Sequence, residues 1–201
     1  MHLLGLLKVE AVRRGLLHPD VDLDAPTVFA LVRDMPYHRA SNRQPETTIS
    51  EWRGTCSGKH YLLQALFAEL GLSSQLIACT TTVPINAIDV PQELQTLYRE
   101  ANSRFVDVHN YLLLDVPQSG RMVVDATWPL SAQKEGRISN ESFILGIDQQ
   151  LAMVPIENWP IPEGCDPQEF KEELLREQFT PAELEFREIL IRAVSEKPRT
   201  A

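Results

Sequence analysis

TCSGKHYLLQALFAELG, residues 55–71, carries the clearest helix signal in the chain. Tyr61, Leu62, Leu63, Ala65, Leu66, Phe67 and Leu70 make it apolar on more than one face. A helix apolar all round belongs inside a core rather than on its surface. Thr55 is a natural N-cap, and Gly71 a natural end. Cys56 therefore falls in the first turn. Unpaired N–H groups and the helix field stabilise a thiolate at that position. Gly54 and Gly58 keep side chains away from the sulfur and would admit a substrate. The competing reading is a small buried hydrophobe, which is what free cysteines often are.

Outward from this helix, QLIACTTTV (residues 75–83) is rich in β-formers and predicts a strand. FVDVHNYLLLD (105–115) and RMVVDA (121–126) predict two more, with Pro-Gln-Ser-Gly between them as the turn of an antiparallel hairpin. Upstream, residues 2–17 predict an amphipathic helix with Leu3, Leu6, Leu7, Ala11 and Leu16 inward, ending near Gly15. Residues 26–33 predict a short helix, and 36–53 a long surface loop. Residues 91–99 predict another short helix with Leu94, Leu97 and Tyr98 inward, and 127–164 an irregular wrap. Asp166-Pro167-Gln168-Glu169 and Thr180-Pro181-Ala182-Glu183 both match a capping box with proline at the first helical position. Two helices should follow them. The pattern is α+β and one domain over residues 1–201, with a core at about 26–130 and a helical extension at about 165–195.

A cysteine nucleophile needs a base. His109 lies inside the first hairpin strand, where an imidazole without a partner would be costly to bury. Asp125 ends the next strand. The tight turn can set its carboxylate behind the far ring nitrogen of His109, fixing the tautomer and favouring an imidazolium opposite a thiolate. His60 is the rival, because it lies one helical turn after Cys56 on the same face. It could be a base, a substrate contact or half of a metal pair. Trp52 is a candidate pocket wall or indole donor to an oxyanion, or an anchor for the loop before it. Thr55 is a candidate oxyanion or pocket residue.

Composition narrows the classes. The chain has 201 residues, 43% hydrophobic and 23% charged, with a formal net charge of -9 and no basic stripe. Nucleic-acid binding is not expected. No apolar run approaches the length of a membrane span, and the N-terminus does not read as a signal peptide, so a cytoplasmic location is expected. The three cysteines, Cys56, Cys79 and Cys165, have no CxxC spacing, which argues against a disulfide framework or a structural zinc site. No phosphate loop, dinucleotide fingerprint or EF-hand spacing occurs, so no cofactor or metal is expected.

WRGTCSGKHYLLQALFAELGLSSQ resembles the nucleophile region of the transglutaminase-like superfamily, and HNYLLLDVPQSGRMVVDATWP is similar to its histidine and aspartate boxes. The likeness covers roughly residues 50–130, in the family's order. It implies a papain-like core, a central helix carrying the nucleophile and packed on an antiparallel sheet, with peripheral helices at both termini. It implies Cys56 as nucleophile, His109 as base and acid, and Asp125 as orienter. His109-Asn110-Tyr111 departs from the family's common His-Ala-Trp. Arg53-Gly54-Thr55-Cys56 loosely echoes the Arg-Gly-Gly-x-Cys loop of arylamine N-acetyltransferases. The implied activity is acyl transfer or hydrolysis at an amide or thioester carbonyl of a peptide, protein or small acyl substrate. The alternative is a catalytically silent binding module on the same scaffold.

Overall fold

The computed structural model describes residues 2–196. It is a mixed α+β fold with helices α1 (Leu3–Arg13), α2 (Ala25–Asp34), α3 (Pro45–Glu51), α4 (Cys56–Glu69), α5 (Gln95–Glu100), α6 (Pro167–Gln178) and α7 (Pro181–Glu196). The strands are β1 (Ser74–Pro84), β2 (Arg104–Val116), β3 (Gly120–Val124) and β4 (Glu157–Pro160), in one sheet of order β3-β2-β1-β4. Among the described residues no helix is long and apolar enough to cross a membrane.

The chain divides into two compact units. The first holds the residues up to Ile77 together with Asn110–Ala152. Its centre is α4, as its apolar character requires. Leu62, Leu63, Leu66 and Phe67 are fully buried, and α1, α2 and α3 all pack on this helix. Phe143 closes the cluster, with ring centroids 5.3 Å from Phe29 and 5.7 Å from Phe67. The β2–β3 hairpin is antiparallel, with Leu112 opposite Val124 and Val116 opposite Gly120. Gln118 and Gly120 take positive φ in the turn, at 65° and 82°.

Two expectations change here. The first helix stops at Arg13, and Gly15 turns left-handed at φ 70°, so Leu16 is 53% exposed rather than inward. The supposed loop 36–53 contains α3. Its sequence, PETTISE, has β-branched and hydroxyl residues of low intrinsic helix preference and a single large apolar side chain. Packing compensates, for Ile49 and Thr48 are both fully buried.

The second unit holds Ala78–His109 and the residues from Met153 on. Val90, Tyr98, Ala101 and Phe186 form its core. Asp166 accepts from the N–H groups of Gln168 and Glu169 at 2.8 and 2.9 Å, capping α6. At α7 the box is reciprocal. Glu183 N donates to Thr180 Oγ1 at 3.3 Å, and Thr180 N donates to Glu183 Oε2 at 2.9 Å. β4, inside the stretch expected to be irregular, is only four residues long and three of them are exposed, so it carries little apolar signal.

Candidate functional site

The approach to α4 is a reversal of the chain. α3 ends at Trp52, whose φ of 52° is left-handed, and Gly54 N then bonds Pro36 O at 3.2 Å. Trp52 is 6% exposed, and the Arg14 guanidinium lies 5.3 Å from its ring centroid, within cation–π range. Thr55 occupies the N-cap position in extended conformation, but its hydroxyl makes no capping hydrogen bond. Cys56 is the first residue of the helix and is 3% exposed. The glycines around it do not leave empty space on every side. A Cβ at Gly54 would lie 3.2 Å from Lys59 Cγ and 3.3 Å from Thr48 Cγ2, and one at Gly58 would lie 3.3 Å from Thr48 Oγ1.

Behind Cys56 the helix carries three buried polar side chains. Ser57 Oγ donates to Asn110 Oδ1 at 2.9 Å, and Asn110 Nδ2 donates to Ile77 O at 3.3 Å. Lys59 is fully buried, with Nζ donating to Arg33 O at 2.8 Å and to Thr127 O at 3.0 Å. Burial pushes its amine down to about 7, against the opposing pull of Asp34 and Asp125.

His60 is also fully buried. Its Nε2 lies 3.0 Å from Ala126 N, a donor, so Nε2 must accept and carries no proton. Nδ1 then holds the proton and donates to Cys56 O at 2.7 Å. Nε2 is also 3.6 Å from Asp125 Oδ1, but a charged imidazole would deprive the Ala126 N–H of its acceptor, so the neutral form fits. In that form His60 offers no lone pair to a metal or to the thiol. Replacing His60 with leucine should lower stability by about 2–4 kcal/mol, from one orphaned buried N–H and a misfit side chain. Urea unfolding followed by circular dichroism measures it, and a loss below about 0.5 kcal/mol would mean that the ring holds nothing in place.

Asp125, 2% exposed, follows β3 directly. Its Oδ1 accepts from Thr127 N at 2.9 Å and its Oδ2 from Ala152 N at 2.8 Å. Its own backbone is clamped: its N–H donates to Gln149 Oε1 at 2.8 Å, and Asn140 Nδ2 donates to its carbonyl at 2.8 Å. The carboxylate orientation is thus fixed by backbone donors. His109 sits in the second unit on β2 and is 2% exposed.

Cys56, His60 and Asp125 form one connected group, with Trp52 and Thr55 on the approach to it. Lys59, Ser57 and Asn110 were not anticipated as site residues. Only the one-turn spacing of Lys59 from Cys56 could have drawn attention to it. No protein-family model, curated protein or solved structure matches the chain.

Proposed function

We propose that the chain is a thiol enzyme acting at an amide or thioester carbonyl, on a papain-like or transglutaminase-like core. Cys56 is its nucleophile, His109 its acid and base, and Asp125 the residue that orients His109. The Cys56 thiolate adds to the carbonyl carbon, and His109 gives its proton to the leaving nitrogen or sulfur as that bond breaks. The acyl group then rests on the sulfur. Water or an amine attacks it, yields its proton to His109, and the thiol returns. N–H groups at the start of α4 are suited to the oxyanion.

One observation carries this reading: the helical turn that begins with Cys56 is tied through His60 to a carboxylate held rigidly by backbone donors. The near-complete burial of Cys56 favours the second reading, a silent binding module. Iodoacetamide labelling read peptide by peptide separates the two, since Cys165 is exposed and Cys79 is buried. At about pH 6.5, Cys56 should label at least about tenfold faster in the parent than in His109→Ala. Equal rates in the two proteins, with no turnover of a thioester probe, would remove the enzyme reading.

A further inference from the structure

Lys59 is a buried amine that the proposed chemistry does not use. Its side chain is fully buried. A methionine of similar volume would fill the same space with no amine to desolvate. Packing alone therefore does not account for a lysine here. What sets it apart is where it stands and what it holds.

Cys56, Lys59 and His60 open α4. At 3.6 residues per turn, Lys59 projects about 60° to one side of Cys56 and His60 about 40° to the other. The two flank the direction of the thiol, one turn further along the helix, and both reach the segment that follows β3. His60 Nε2 accepts from Ala126 N at 3.0 Å. Lys59 Nζ donates to Thr127 O at 3.0 Å. One helix residue thus takes an N–H of the segment, and its neighbour takes a C=O. Hydrogen bonds are directional, so two of opposite sense fix the segment in rotation as well as in position. Between them, Thr127 N donates to Asp125 Oδ1 at 2.9 Å. Thr127 therefore passes the position of Lys59 directly to the carboxylate. On its other side Nζ donates to Arg33 O at 2.8 Å, one of the closing carbonyls of α2, which have no partner within their own helix. α2 returns to the same segment, where Asp34 Oδ1 accepts from Leu130 N at 3.1 Å.

We infer that Lys59 is a positioning residue, whose amine sets the Asp125 carboxylate relative to the first turn of α4 and so to Cys56. Its effect on turnover rests on the thiol chemistry proposed above; its hold on the carboxylate does not.

Two variants of the full chain test this. Lys59→Met keeps the volume and loses every donor. Lys59→Gln keeps two N–H donors on a side chain one bond shorter. Turnover is measured at about pH 8, where the parent amine is largely uncharged, with S-phenyl thioacetate, whose cleavage releases thiophenol. Lys59→Met should lower kcat at least about tenfold with KM changed less than about twofold, because a misplacement of about 1 Å can cost about 100-fold in rate. Lys59→Gln should keep more of kcat than Lys59→Met, whereas a packing role would reverse that order. The amide protons of Thr127 and Ala152 both donate to Asp125. In Lys59→Met they should shift and exchange at least about tenfold faster, while those of the buried Leu66 and Phe67 within α4 stay protected and show the variant folded. Should Lys59→Met not fold, Lys59→Gln is read against the parent in the same two ways, with smaller losses expected. Unmoved Thr127 and Ala152 amides would overturn the inference, whether or not the parent is an enzyme. So would an unchanged kcat in an active parent, or a Lys59→Met that outperforms Lys59→Gln. A parent that releases no thiophenol counts against the enzyme reading alone, and the amides then decide the role of Lys59.

Discussion

Asp107→Ala should lower unfolding stability by about 3–5 kcal/mol, because it takes from Arg187 and Lys171 the buried carboxylate that they share rather than merely deleting a contact. Asp107 lies on β2 with its side chain 11% exposed. Its Oδ1 accepts from Arg187 Nε at 2.9 Å, from Arg187 Nη2 at 2.6 Å and from Val108 N at 2.8 Å. Lys171 Nζ of α6 is 3.8 Å away and 6% exposed. One carboxylate thus ties both α6 and α7 to the strand within the second unit. The positive groups around it outweigh burial and hold its carboxyl below the usual range. A depressed carboxylate adds stability that is complete above the unfolded value of about 3.9 and fades as pH falls through the folded value. Urea unfolding at neutral pH, repeated near pH 3, is the measurement. A neutral-pH difference within about 0.5 kcal/mol would show that the ion cluster contributes nothing.

Asp107 also shows where sequence reading stops. In FVDVHNY it is one polar residue in an apolar strand, and its partners lie 64 and 80 residues away in chain order. Periodicity and caps act over a turn or two, so they gave α4, the β2–β3 hairpin and the starts of α6 and α7. Elements that depend on distant packing were not readable. α3 lacks intrinsic preference and exists because Ile49 and Thr48 are buried against other helices. At the site, spacing placed His60 on the same face as Cys56 but left its role open among base, contact and ligand. Its tautomer is fixed by the Ala126 N–H, 66 residues away. Asp125 was found as a residue, yet the backbone donors that orient it come from Thr127 and Ala152, the latter in a segment with no periodic signal.

Lys59 has the second large consequence, and it is a slope rather than a loss. A neutral amine has two N–H donors and an ammonium three. Nζ has two acceptors among the described residues, Arg33 O and Thr127 O. The site is therefore furnished for the uncharged form, in agreement with an amine pushed by burial down to about 7. The unfolded chain holds that proton up to about 10.4. Between these two values the unfolded state binds more protons than the folded one, so stability rises with pH. The slope approaches 1.4 kcal/mol per pH unit, and the whole window contributes on the order of 4 kcal/mol. Lys59→Met removes the titrating group. It should lose stability at pH 9 through two orphaned carbonyls, yet lose less, or gain, near pH 6, because the parent there carries a buried charge. The two curves should converge as pH falls. Lys59→Arg cannot shed its proton and should be the less stable variant at every pH. Chemical unfolding at intervals from about pH 6 to 10 reads this directly. Parallel curves for the parent and Lys59→Met would mean that Lys59 keeps its proton in the fold, and that the polar floor beneath Cys56 is charged rather than neutral.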